Sequence, residues 1–253
     1  MRQHRLLYAA AIFLSSSLLF LVEPMAGKRL LPLLGGSAAV WITCLVFFQT
    51  ALLAGYLCAH GIATRLRAQY QPWIYGFLLL ASVIEVLSNL NPHPHASTLR
   101  PIFSVLWVLA RLIGLPFLVL SATNPLLQAW YARRGSSNGQ AAAPPYRLFA
   151  LSNFASLLAL IVYPVLVEPY FSLHAQTLAW SAGFVVFALV CGLVSFSRRT
   201  SATQEPASVP AVETAGPAEP EPTRGERTLW LLMAACGALL LSAVTSHLSQ
   251  NIA

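Results

Sequence analysis

"LLYAAAIFLSSSLLFLVEPMAGKRLLPLLGG" (Leu6–Gly36) decides the fold. From Leu6 to Val22 there is no charge, and only Ser15, Ser16 and Ser17 break the apolar run. A helix crossing a hydrocarbon core of about 30 Å needs about 20 such residues. Pro24 disfavours helix at the residue before it, so the first helix is expected to end at or before Glu23. "EPMAGKRLLPLLGG" then reads as a loop. Its "LLPLLGG" is too short to cross and is expected to lie at the interface or dip into a bundle, punctuated by Gly35 and Gly36. Two readings of its charges stand side by side. Glu23 pairs locally with Lys28 or Arg29, or the three form a polar site for a charged solute.

The same ruler finds further apolar segments at 37–60, 72–90, 102–129, 147–167, 176–196 and 228–248, seven with the first at 6–22. The composition agrees. The 253 residues are 57% hydrophobic and 9% charged, where soluble domains carry about a quarter charged residues. The expected fold is an all-α polytopic transmembrane bundle of about seven helices, the first of them an uncleaved span. Residues 1–196 form six helices. Residues 197–227, rich in Pro, Ala and Glu, read as a disordered cytoplasmic linker. Residues 228–253 hold the seventh helix, taken as the start of a missing continuation.

Arginine placement orients the set. With the N-terminus in the cytoplasm, inside regions hold Arg2, Arg5, Arg65, Arg67, Arg133, Arg134, Arg147, Arg198, Arg199, Arg224 and Arg227. The outside holds only Lys28, Arg29 and Arg100, which satisfies the positive-inside rule. The net charge of +7 therefore reads as membrane orientation and not as nucleic-acid binding. Trp41, Trp73, Trp130, Trp180 and Trp230 fall near segment ends, as interfacial aromatics do.

The ionisable residues left near or within spans are the candidate solute contacts: Glu23, Lys28, Arg29, Glu85, Arg111 and Glu168, with Asn153 beside them. Glu85 and Arg111 lie on consecutive segments joined by a short loop, at depths differing by roughly 7 Å. A direct pair and outward snorkelling of Arg111 are both open. Ser152, Ser156, Ala159 and Tyr163 form a helix face too polar for lipid, which is expected to face the bundle. Ala51, Gly55 and Ala59 make a small-xxx-small ridge for close helix packing. "SATNP" (Ser121–Pro125) reads as a kink whose freed backbone groups Ser121, Thr123 or Asn124 satisfy. Cys44, Cys58, Cys191 and Cys236 read as packing residues without CxxC spacing. His93 and His95 lack a third ligand, so no metal and no cofactor is expected.

Four stretches resemble a known family. They are "EPMAGKRLLPLLGGSAAVWITCLVFFQTALLAGYLCAH" (Glu23–His60), "LPFLVLSATNPLLQAWYAR" (Leu115–Arg133), "PYRLFALSNFASLLALIVYPVLVEP" (Pro145–Pro169) and "SAVTSHLSQNIA" (Ser242–Ala253). Together they look like the membrane region of the bacterial fused MFS/spermidine synthase-like proteins. The resemblance implies an inner-membrane location. In that family further helices and a cytoplasmic Rossmann-like, aminopropyltransferase-like domain follow. This chain has no aspartate and no glycine-rich cofactor loop, so it is not expected to be an enzyme. The implied roles are a transporter-like module for polyamines or other organic cations, a membrane anchor for a synthase-like domain or partner, or a non-functional truncation. The lipid bilayer is the expected environment in each.

Overall fold

The structure, a computed structural model, describes residues 2–34, 37–90, 101–137, 146–202 and 223–251. Two compact units divide the chain, residues 1–204 and 205–253. The described residues are helical between short turns: α1 (Arg2–Leu34), α2 (Ala38–Arg65), α3 (Gln71–Ser88), α4 (Pro101–Ser137), α5 (Tyr146–Val162), α6 (Glu168–Tyr170), α7 (Leu173–Ala202) and α8 (Arg224–Asn251). A π-helical turn, Tyr163–Val167, joins α5 to α6. Among the described residues seven stretches are long and apolar enough to cross a membrane, the α5–α6 run counting as one. The protein is an all-α polytopic membrane bundle.

In the first unit α1 packs against α4, α5 and α7, α2 lies along α4, and α3 sits between α4 and α7. Asn89 meets Arg111, Tyr75 meets Thr123, and Gln71 meets Trp130. Numbers rise along α3 as they fall along α4, so the two are the antiparallel neighbours that their short connection implies. Ile12, Leu109, Leu120, Leu126, Leu127, Phe184 and Phe187 fill the core. Phe77, Leu80, Trp107 and Leu189 stay more than half exposed, a surface that suits lipid and not water. Arg5, Arg65, Arg67 and Arg133 gather at one end of this unit. Lys28, Arg29 and Arg111 occupy the other.

The first helix does not stop at Glu23. It runs through Pro24 and Pro32 to Leu34. Pro24 removes only the bond to the carbonyl four residues earlier. Leaving the helix within lipid would orphan several backbone groups, so continuing costs less. The expected interfacial "LLPLLGG" is therefore helical as far as Leu34, and Gly35 and Gly36 lie outside the described residues. α4 likewise continues through Pro116 and Pro125. Ser121 and Thr123 donate back to Leu118 and Val119 carbonyls, at 2.9 and 2.6 Å, while Asn124 turns to other helices. At Pro164 the chain relaxes into the π turn, in which Glu168 N–H reaches Tyr163 O.

The linker bounds also move. α7 extends to Ala202 and α8 begins at Arg224, so residues 197–202 and 224–227 are helical. Residues 203–222 lie outside the described residues, as do His93 and His95. In the second unit Thr223 and Glu226 open α8 with a capping box. Thr223 N and Oγ1 donate to Glu226 Oε2 at 2.8 and 2.9 Å, and Glu226 N–H donates to Thr223 Oγ1 at 3.3 Å. Trp130 and Trp180 are buried in the bundle. Their indole N–H groups bond Gln71 Oε1 and Leu18 O, both at 2.9 Å.

Candidate functional site

Inside the spans, α1, α4 and α5 are tied by a polar seam. Asn124 Nδ2 donates to Ser16 Oγ and to Ser152 Oγ, each at 2.9 Å. Ser15 Oγ donates to Asn124 Oδ1 at 3.0 Å, and the Ser16 and Ser152 hydroxyls bond each other at 2.8 Å. Lipid offers these groups no partner, so helices carrying them associate. The expected inward face of α5 is buried at Ser152, Ala159 and Tyr163 and half-buried at Ser156.

Ser16 also marks a stripe on α1. At about 100° per residue, Glu23 and Gly27 fall within about 20° of Ser16 around the helix. Ser16 meets α5, whereas a Cβ at Gly27 would come 3.0 Å from the Trp41 ring of α2. α2 and α5 are not packed against each other. Glu23 therefore lies on the face of α1 between its contact with α2 at Gly27 and its contacts with α4 and α5 at Ser16. Its side chain is half-buried, and among the described residues no basic nitrogen lies within 4.0 Å of its carboxylate.

The local pairing expected of Glu23 does not form. Lys28 and Glu23 are about 140° apart on a continuous helix, so they point to different neighbours. Lys28 Nζ instead donates to Glu168 Oε1 at 3.1 Å, an exposed pair that fastens α1 to α6. Arg29 donates to Thr177 Oγ1 of α7. Among the described residues Glu85 and Arg111 form no ion pair. Arg111 is exposed, Asn89 Nδ2 donates to its carbonyl at 3.1 Å, and Glu85 Oε1 is buried without a hydrogen bond. Asn153 is exposed on α5 and takes no part in the seam beside it. The sequence-derived candidates thus divide between the Glu23 face of α1, the Lys28–Glu168 pair, the Arg29 side of α1 and the α3–α4 boundary. They do not form one site.

Sequence reasoning missed the polar face of α2. Gln49, Tyr56, His60 and Thr64 are all exposed, interleaved with the exposed Val46, Leu53 and Leu57, while Cys44, Phe48, Gly55, Ala59 and Ile62 are buried on the other side. Their spacing of seven, four and four residues was legible as one helical face. Thr64 Oγ1 bonds His60 O at 2.7 Å, but Gln49 lies near the middle of a span. A polar side chain at that depth needs water, a solute or another protein surface. Among the described residues no three His, Cys or Glu side chains come together as metal ligands.

No family model matches the chain, and neither curated proteins nor solved structures contain a match.

Proposed function

We propose that this chain is a transporter-like membrane module, without enzymatic activity of its own, that passes organic cations such as polyamines along the face of α1 that bears Glu23. The observation that carries the reading is the half-buried Glu23 carboxylate without a basic partner among the described residues. A buried carboxylate is costly unless a cation or water compensates it, and a passing ammonium group does so transiently. The exposed polar face of α2 supplies Gln49, Tyr56 and His60 as further contacts. The resemblance to MFS/spermidine synthase-like proteins supports the solute class. The arginine-rich end, by the positive-inside rule, supports a cytoplasmic N-terminus in a bacterial inner membrane.

Purified protein reconstituted in proteoliposomes should take up radiolabelled spermidine. Glu23→Gln should lower that uptake by about tenfold or more, the effect of losing about 1.4 kcal/mol of binding. Glu168→Gln, which breaks only an exposed pair, should change it little. Folded protein that takes up no organic cation, or uptake indifferent to Glu23→Gln, would overturn the reading. The resemblance also supports a membrane-anchor role for an aminopropyltransferase-like domain or partner. Co-purification of such a partner, with uptake absent, favours that role.

A further inference from the structure

Arg29 points away from that face, about 120° around α1 from Glu23. There it lines a partly open cavity at the junction of α1, α3, α4 and α7, with Met25, Asn89, Thr177, Trp180 and Ser181. The cavity holds about 30 Å³, room for a few water-sized atoms. Its uncommitted donors are those of Arg29 and Ser181, since Asn89 Nδ2 is already given to the Arg111 carbonyl. The Arg29 guanidinium carries five N–H groups, and among the described residues it bonds Thr177 Oγ1. Thr177 in turn donates to Leu173 O at 2.8 Å, so its hydroxyl hydrogen is committed. The Trp180 indole is committed to Leu18 O, which leaves its ring as an apolar wall. No carboxylate lines the cavity, and among the described residues none lies within 4.0 Å of Arg29.

A half-buried cation with free donors and no counter-charge is an unfinished ion pair. The start of α7 lies at the same end and adds the positive end of a helix dipole. We propose that this cavity binds a single anionic oxygen group, a carboxylate or a phosphate. Arg29 holds it through its two-pronged fork, Thr177 orients the guanidinium, and Ser181 supplies a hydroxyl donor. Lipid headgroups and free solutes both offer that chemistry. The site lies on a different face of α1 from Glu23, and its assignment does not rest on transport.

Thermal unfolding of delipidated protein in neutral detergent, at constant ionic strength, tests it. The added ligands are inorganic phosphate, acetate and short-chain phosphatidylglycerol. At least one should raise Tm saturably. Arg29→Gln should weaken the apparent affinity by about tenfold or more. Ser181→Ala, a milder change that keeps the fold, should weaken it by a smaller factor. Without ligand, Arg29→Gln should melt no lower than wild type, because it removes an uncompensated charge. Stabilisation by phosphate or acetate identifies a free-solute site, and stabilisation by the lipid alone identifies a headgroup site. No shift with any of the three, or the same affinity in Arg29→Gln and Ser181→Ala as in wild type, overturns the proposal.

Discussion

Replacing Gly55 by valine should cost about 3 kcal/mol, at the upper end of what overpacking a close contact costs. Gly55 faces α4 at close range. A Cβ there would meet Ser121 Oγ, with the Leu118 carbonyl oxygen and Ser121 Cβ each at 2.9 Å. The hydroxyl can rotate, but the Leu118 backbone cannot move without shifting α4. Unfolding in a mixed-detergent titration measures the loss. Gly55→Ala with Ser121→Gly should recover part of it, since the carbonyl remains in the way. Gly61→Ala on the same helix should be neutral or slightly stabilising, because nothing lies within 4 Å of its Cβ position. Equal effects at Gly55 and Gly61 would mean that the small-residue ridge does not set the α2–α4 spacing.

Gln71→Leu should be the next most damaging change, at about 2 to 3 kcal/mol. Gln71 is almost fully buried where α2 turns into α3. Its Nε2 donates to Ala63 O at 3.2 Å and Leu66 O at 2.9 Å, carbonyls that the end of α2 would otherwise leave without a helical partner. Its Oε1 accepts from Trp130 Nε1 at 2.9 Å and Arg133 Nη1 at 3.5 Å. One amide thus joins α2, α3 and α4. Leucine fills the volume and meets none of these groups. The same titration applies, with Gln69→Leu, an exposed neighbour, as the comparison. Indifference to Gln71→Leu would mean that water replaces the amide without cost.

The fold was legible because lipid permits so few backbone solutions. Long uncharged runs such as Leu6–Val22 and Phe184–Val194 have one common answer, and the loops between them follow. Termini were less legible, because they turn on local chemistry. Pro24 suggested a stop, yet the backbone bonds lost by unwinding in lipid outweigh the one bond that proline removes. Thr223-x-x-Glu226 was a readable capping box that moves the start of the last helix to Arg224. The site was only half legible. Ionisable residues within spans stood out by type, but partner choice depends on which way a helix faces. That is why Glu23 was first matched with Lys28, which belongs to Glu168. The outward polar face of α2 was hidden by its neighbours, since Gln49, Tyr56 and His60 sit among Leu, Ala and Cys at helical spacing.

The central claim is that the face of α1 and α2 bearing Glu23 and Gln49 meets water within the membrane. Cysteine accessibility tests it most directly, in protein whose four native cysteines, Cys44, Cys58, Cys191 and Cys236, are replaced by alanine. Single cysteines at Gln49 and His60 report the exposed polar positions of α2, and cysteines at Phe77 and Leu80 report the exposed apolar side of α3. With the protein in sealed vesicles, a charged, membrane-impermeant thiol reagent should modify Gln49→Cys and His60→Cys much faster than Phe77→Cys or Leu80→Cys. Excess spermidine should slow the reactions on α2 alone. Modification of Gln49→Cys as slow as that of Leu80→Cys would contradict the account.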